Sequence, residues 1–189
     1  MAYNLKDVFY LDTSVTIAAA TAAGGVGQLD LSAYIDPIAR GRQKGTGLAI
    51  YKVHWIMSQS ANGEPIDDAE TGTTRAGILA GAGFGDLTTG NLVATSAGFQ
   101  ATNALLVSEY DWYGPKSMVA NANTPVSMHS ETIKPSIDVP YVVVRDNVCM
   151  VYDVGDHFVA DAILSCRLEV AQISLDQATL NQLLRTQTV

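Results

Sequence analysis

The chain has 189 residues and a formal net charge of −8, from 11 Lys and Arg against 19 Asp and Glu. This acidic balance argues against nucleic acid or an anionic membrane as the main partner, because both would be repelled. Apolar residues make up 48% of the chain and charged residues only 16%. That composition favours strands and long loops over helices, whose surfaces need more Lys and Glu. The length predicts a single domain over residues 1–189, large enough to bury a core.

The sequence predicts neither a secretion signal nor a membrane span. The first residues, MAYNLKDVFYLD, lack a basic stretch followed by an apolar run. Two long uncharged stretches, residues 13–29 and 87–108, contain polar residues throughout, which is not typical of a span. We therefore expect a soluble protein that is made in the cytoplasm.

The first predicted element is a half-buried strand over residues 8–17. Its apolar residues recur at every second position, and its polar residues lie on the opposite face. The inward face is predicted to consist of Phe9, Leu11, Thr13, Val15 and Ile17.

Asp12 lies in the middle of this strand, within the run YLDTSVTI. Aspartic proteases and PIN-type nucleases use an aspartate in a similar run. A protease would need glycine at position 14, where Ser14 stands. A nuclease would need Asp12 at the carboxyl end of the strand, with a helix after it, but residues 18–27 are too rich in glycine for a firm helix. A surface position on a strand is favoured, and a PIN-type nuclease using Asp12 is the third hypothesis for function.

Six further strands are predicted from alternating apolar and polar residues. The strongest of them, residues 48–57, has a predicted apolar face of Ala49, Tyr51, Val53, Trp55 and Met57. Asp146 and Asn147 predict a two-residue hairpin turn. Residues 58–103 predict long loops with short strands, and residues 116–138 predict another long loop. The six predicted strands are residues 28–35, 48–57, 104–113, 139–145, 148–154 and 159–173.

A short helix is predicted at about residues 174–186. Ser174 and Gln177 have the spacing of a capping box, with Ser174 as the N-cap. The apolar residues that follow form a narrow stripe. Such a helix either packs on its own domain or contacts a partner, and the sequence leaves both alternatives open.

No pattern typical of catalysis is present. The run Gly81-Ala82-Gly83-Phe84-Gly85 is not a phosphate-binding loop, because no Gly-Lys-Ser/Thr follows it. The three histidines, His54, His129 and His157, are far apart in the sequence and indicate no triad. We expect no catalytic and no cofactor-binding residues.

Two acidic groups are candidate metal sites, and for both a solvated surface is favoured. We therefore predict no metal ligands and no cofactor. The two groups are Glu64, Asp67, Asp68 and Glu70, and Asp153, Asp156 and His157.

Cys149 and Cys166 lie in apolar stretches, which indicates buried free thiols. A disulfide between neighbouring strands stays open as the alternative.

The segment Arg40-Gly41-Arg42-Gln43-Lys44 carries three positive charges in five residues. It is either a solvated turn or a contact to an acidic neighbouring subunit or a phosphate.

The run LDLSAYIDPIARGRQKGTGLAIYKVHWIMS resembles the opening strand-loop-strand of the single jelly-roll capsid proteins of tailless icosahedral viruses of bacteria and archaea, including marine ones. The resemblance implies an all-β fold, a single jelly-roll β-sandwich with long loops and a short C-terminal helix. It further implies pentamers or hexamers tied together by loops and termini, and no catalytic residues. The chain departs from a capsid protein that packs nucleic acid in having no basic arm. This departure is compatible with a shell over an internal viral membrane, without membrane insertion, or with genome contacts made by another protein.

The preferred hypothesis is therefore a capsid shell subunit that self-assembles with copies of itself and with other capsid proteins, located in the virion and made in the host cytoplasm. The alternative is a carbohydrate- or receptor-binding β-sandwich, which would need solvent-facing aromatic side chains. The third hypothesis is an enzyme, PIN-type or cupin-like. The candidate aromatic residues for the alternative are Tyr110, Trp112 and Tyr113, with Tyr51 and Trp55.

Overall fold

The computed structural model describes nine strands and one helix. The strands are β1 (Val8–Ile17), β2 (Gly25–Asp30), β3 (Lys44–Gln59), β4 (Thr73–Ala80), β5 (Leu106–Tyr113), β6 (Met128–Ser130), β7 (Tyr141–Val143), β8 (Asn147–Asp156) and β9 (Ala162–Asp176), and the helix is α1 (Gln177–Thr186). The described residues are 7–36, 44–59, 63–80, 99, 101–116 and 128–187.

The strands form two antiparallel sheets with the orders β1-β9-β3-β7 and β2-β8-β4-β5-β6. The pairing is nested, since β1 pairs with β9, β2 with β8, β3 with β7, and β4 with β5. Nested pairs of this kind arise when one long antiparallel hairpin is rolled into two facing sheets, which is a jelly roll. The predicted fold class is confirmed.

The main core lies between the two sheets and contains two aromatic stacks. Trp55 stacks on Tyr110 with ring centroids 5.4 Å apart, and Trp112 stacks on Phe158 at 5.5 Å. Trp55 also donates its indole N–H to the Ser108 hydroxyl at 3.0 Å, so its polar atom is satisfied inside the core. The contacts of Trp55 join β3 of one sheet to β5 of the other, and the Trp112–Phe158 stack joins β5 to the segment that follows β8.

A β-bulge in β3 changes the face that each residue presents. The register of β3 shifts between Ile50 and Lys52. Before the bulge Ile50 lies in the main core, whereas after it Val53 does. Ala49 and Tyr51 instead pack in a separate small cluster. The predicted unbroken apolar face over residues 49–57 is therefore wrong, because one extra residue reverses the alternation.

Strand β4 lies at the centre of the five-stranded sheet, within a part of the sequence predicted to hold long loops and short strands. From Ala76 to Ala80 it is buried and covered on both faces. Ile78 contributes to the main core, and Leu79 contributes to a second cluster with Phe99 and Leu106. A Cβ on Gly77 would lie 3.1 Å from the Ser108 carbonyl oxygen, so this strand approaches β5 closely.

The ends of several elements differ from the prediction. Strand β2 spans Gly25–Asp30 instead of 28–35, because Leu31 accepts backbone hydrogen bonds from Tyr34 and Ile35 and turns the chain. Strand β9 pairs with β3 as far as Asp176, so Ser174 belongs to the ladder and not to the helix. The predicted N-cap at Ser174 is wrong, and Asp176 caps α1 by accepting from the Thr179 N–H at 2.7 Å.

Helix α1 packs on its own chain, which is one of the two alternatives that the sequence left open. Leu180 is fully buried and packs with Leu175 and Val144. No helix in the described ranges is long and apolar enough to cross a bilayer.

Candidate functional site

The candidate site is a shallow groove of about 750 Å³ on the outer face of the four-stranded sheet, called the outer groove below. Strands β1, β9 and β3 form its floor. Alternation along each strand turns every second side chain outward. The side chains that give the groove its chemistry are Tyr10, Asp12, His54, Ile56, Arg167 and Glu169.

The register of the three strands arranges these outward side chains in rows. Side chains that lie directly opposite one another on neighbouring strands are close enough to interact. The three rows, each read from β1 through β9 to β3, are Tyr10-Glu169-Lys52, Asp12-Arg167-His54 and Ser14-Ser165-Ile56.

The strongest contact in the outer groove is diagonal. His54 Nε2 lies 2.6 Å from Glu169 Oε1. Arg167 lies over the ring of Tyr10, with its Cζ 5.9 Å from the ring centroid. Among the residues that the structure describes, Arg167 makes no ion pair. The groove therefore holds a positive charge that no described carboxylate neutralises at contact distance.

Asp12 is exposed in the middle of β1 and faces Arg167 across the strand pair. Both of its neighbouring positions along β1 remain in the ladder, so Asp12 does not lie at a strand end. Within the described ranges, no group of three or more His, Cys, Asp or Glu is placed to hold a metal ion. The position of Asp12 thus differs from the one that a PIN-type nuclease requires.

The outer face of the five-stranded sheet carries a compact set of charges around Arg75. Arg75 donates to both carboxylate oxygens of Asp111, at 2.7 and 3.0 Å, and lies 3.5 Å from Glu109. Burial raises the pKa of Glu109, with a further contribution from Asp111, and Arg75 opposes the rise. Arg75 is therefore already engaged by carboxylates, unlike Arg167 in the outer groove.

The acidic residues weighed as metal sites have other partners. The Glu70 carboxylate is buried and accepts hydrogen bonds from the backbone N–H groups of Thr71, Gly72, Val159 and Ala160. Asp67 accepts from the Ala69 N–H at 2.8 Å. Sequence reasoning missed the structural role of Glu70, because its partners are backbone groups that no side-chain pattern identifies.

The second acidic group also separates in the structure. Asp153 lies opposite Arg75 in the β4–β8 ladder, on the outer face of the five-stranded sheet. Asp156 contacts His157 at 3.3 Å between Oδ1 and Nδ1, and both side chains are exposed. The three residues of this group therefore do not form one cluster.

The aromatic residues considered for carbohydrate binding are mostly buried. Trp55, Tyr110 and Trp112 lie in the main core, and burial raises the pKa of Tyr110 to about 12. Tyr51 is buried in its separate cluster. Tyr113 alone of the five is partly exposed, beside Arg75. The five side chains do not form a solvent-facing platform.

Cys149 and Cys166 are both buried and do not form a disulfide, which decides between the two alternatives for them. Burial raises the pKa of Cys149 to about 11 and that of Cys166 to about 12, so neither thiol ionises readily.

Lys44, the last residue of the basic segment 40–44, begins β3. Arg40 and Arg42 lie outside the described residues, and so does the glycine-rich run 81–85.

An exposed apolar turn precedes β7, at residues 136–139. Ile137 and Val139 are 59% and 73% exposed. The Ser136 N–H donates to the Val139 carbonyl oxygen, and the Val139 N–H donates to Ser136 Oγ, both at 3.1 Å. Pro135 and Pro140 flank the turn and restrict its backbone. Two apolar side chains are thus held in solvent on a rigid support.

No family model and no curated protein matches this chain. Solved structures with a distant similarity to this chain include three from viruses. A structure of desmodium yellow mottle tymovirus is 6% identical with a TM-score of 0.34, over 89% of this chain and 87% of that chain. The VP1 protein of Merkel cell polyomavirus, in complex with disialyllactose, is 7% identical with a TM-score of 0.38, over 93% and 98%. The VP1 protein of trichodysplasia spinulosa-associated polyomavirus, in complex with GM1 oligosaccharide, is 7% identical with a TM-score of 0.38, over 93% and 97%.

Proposed function

We propose that this chain is a structural virion protein, a capsid shell subunit that self-assembles through loop and terminal contacts. The proposal takes residues 1–189 as one jelly-roll domain and assigns no catalytic, cofactor-binding or metal-binding residues. It rests on this chain's own surface, together with the resemblance of its strand-loop-strand opening to single jelly-roll capsid proteins.

The observation that carries the proposal is the distribution of exposed apolar side chains. They lie on outer sheet faces, on a strand edge and on loops, so they do not converge on one cleft. Charged residues make up only 16% of the chain, whereas a free monomer usually has a more charged surface. Apolar groups spread over several sides fit a subunit with neighbours on several sides. Among the residues that the structure describes, the large exposed apolar ones are Tyr10, Ile56, Met128, Ile137, Val139 and Val159.

The partners of the subunit follow from the same reasoning. We infer that copies of this chain form pentamers or hexamers, that other capsid proteins contribute to the shell, and that the shell is part of a virion made in the host cytoplasm. The net charge of −8 disfavours direct binding of nucleic acid. An internal viral membrane can lie nearby without insertion of this chain.

The other two hypotheses have less support. A carbohydrate-binding sandwich would use an exposed aromatic platform, and the aromatic pairs of this chain stack inside the core instead. A nuclease would use Asp12, which lies mid-strand opposite Arg167.

The proposal is tested by measuring the assembly state of the purified chain, by light scattering and negative-stain electron microscopy at low and moderate salt. We expect rings, pentamers, hexamers or closed shells. A stable monomer of 20.0 kDa at all concentrations would contradict the proposed function.

A further inference from the structure

The outer groove places Arg167 beside two exposed apolar side chains, Tyr10 and Ile56. Asp12, directly opposite Arg167 on β1, and Glu169, which contacts His54, also line the groove. Arg167 makes no ion pair with any residue in the described part of the chain, and its neighbours in the groove include Tyr10, Ile56 and Ile163. The side chains of Tyr10 and Ile56 are 59% and 60% exposed. Such a surface suits a carboxylate with an apolar side chain on each side of it. The carboxylate can pair with the guanidinium while the apolar side chains pack against Tyr10 and Ile56.

The turn at 136–139 has the complementary chemistry. Its sequence places Asp138 between Ile137 and Val139, and all three residues are exposed. The two hydrogen bonds between Ser136 and Val139 hold the turn in shape before any partner binds. A segment that is already ordered loses little conformational entropy on docking.

The turn and the groove occupy different parts of the same subunit. The turn leads into β7, which is an edge strand of the four-stranded sheet, and β1 is the opposite edge. Tyr141 of β7 pairs with Ile50 of β3, whereas the groove uses β3 at His54 and Ile56. A contact between the turn of one copy and the groove of another is therefore heterologous, and repetition of such a contact produces a ring or an extended array.

We propose that the 136–139 turn of one copy docks in the outer groove of the next copy, with Asp138 paired to Arg167 and with Ile137 and Val139 against Tyr10 and Ile56. This contact rests on the proposed function and specifies one of the subunit interfaces. The occupant of the groove is a second copy of this chain, because the chain itself carries an exposed segment with a carboxylate for Arg167 and two apolar side chains for Tyr10 and Ile56.

The test uses charge reversal on each side of the contact. We expect Arg167→Glu alone and Asp138→Lys alone each to weaken self-association by about tenfold or more, measured by sedimentation velocity over a concentration series. The double variant, which carries both changes in one chain, is expected to recover assembly. Asp146→Lys and Arg185→Glu reverse exposed charges elsewhere and serve as matched controls, which are expected to assemble as the parent chain does. Thermal unfolding of every variant checks that the fold is retained.

A mixing experiment distinguishes this pairing from general charge effects. In an equimolar mixture of the Arg167→Glu and Asp138→Lys chains, each turn meets a groove of opposite charge only on the other chain. We expect the mixture to assemble more strongly than either variant does alone, with the two chains alternating. Failure of both the mixture and the double variant to assemble would overturn the pairing.

The results also separate this contact from the proposed function. If the parent chain assembles and the two single variants assemble equally well, the docking contact is wrong and the capsid role stands. If the parent chain stays monomeric throughout, the proposed function is wrong and the contact is wrong with it.

Discussion

Val159 donates its backbone N–H to Glu70 Oε1 at 2.9 Å, although 89 residues separate the two along the chain. The same carboxylate accepts from Gly72 at 2.8 Å and from Ala160 at 3.4 Å. One buried carboxylate therefore joins the loop before β4 to the loop after β8 at one end of the sandwich. Hydrogen bonds to a buried charged acceptor are stronger than those between neutral groups.

We predict that Glu70→Gln destabilises the protein by about 1–3 kcal/mol, because the amide has one acceptor oxygen and its NH₂ group would oppose a backbone donor. The free energy of unfolding, from urea titration, measures the loss. Glu64→Gln is the matched control, since Glu64 is exposed, and it should change stability by less than about 0.5 kcal/mol. Equal stability of the two variants would show that the Glu70 carboxylate is not a structural acceptor.

The side chain of Gln187 occupies the open edge of β7. Its Oε1 accepts from the Val144 N–H at 3.1 Å, and its Nε2 donates to the Val142 carbonyl oxygen at 2.6 Å. These are the two contacts that a residue of a neighbouring parallel strand would make. The amide thus satisfies backbone groups that would otherwise be available for pairing with another chain.

We predict that Gln187→Ala speeds hydrogen exchange at the Val144 amide and costs about 1–3 kcal/mol of stability. Gln187→Glu is the informative companion, because it keeps the acceptor for Val144 but places an oxygen against the Val142 carbonyl. It should therefore protect the Val144 amide better than the alanine variant does. Unchanged exchange at Val144 in the alanine variant would contradict the assigned role.

Alternation in the sequence was sufficient to predict β1 and most of β9, because each has one covered and one open face. It failed at β4, where residues 76–80 are covered on both faces and Gly77 allows close approach to β5, so no alternation is visible there. Alternation also gave the wrong face for Tyr51. The sequence does not reveal the bulge there, because apolar side chains are buried on both sides of β3.

The candidate site could not be predicted from the sequence for a different reason. Its side chains come from three strands that are far apart along the chain, and only the ladder register brings them together. Asp12 was singled out from a local run, but its neighbour Arg167 is set by the pairing of β1 with β9. The turn at 136–139 lies across the end of the predicted loop 116–138 and the start of the predicted strand 139–145. Its shape depends on two hydrogen bonds that composition alone does not indicate.

Glu109 gives a prediction for the pH dependence of stability. Burial raises the pKa of Glu109 above its ordinary value of 4.5 in the folded protein. Between the unfolded and the folded pKa, the folded state binds more protons than the unfolded state, so stability falls as the pH rises through that window. Glu109→Gln removes this titration and leaves both hydrogen bonds between Arg75 and Asp111.

We therefore expect the stability of the Glu109→Gln variant, relative to the parent chain, to increase as the pH rises from about 4 to about 7. Urea unfolding at a series of pH values measures the difference. Asp68→Asn provides a comparison, because Asp68 is an exposed carboxyl. A difference between parent and variant that does not change with pH would show that Glu109 is not desolvated in the folded protein.

Asp12→Asn distinguishes a surface position on a strand from a catalytic one. Asp12 is exposed, lies mid-strand and faces Arg167 across the ladder, so the substitution keeps the shape and removes only an exposed charge. We expect the free energy of unfolding to change by less than about 0.5 kcal/mol, and self-association to be retained because Asp12 is not the partner of Asp138.

Incubation of the parent chain with single-stranded nucleic acid and Mg²⁺ or Mn²⁺ is expected to give no cleavage. Metal-dependent cleavage by the parent chain that disappears in the Asp12→Asn variant would instead make Asp12 a catalytic residue, and the capsid assignment would have to be abandoned.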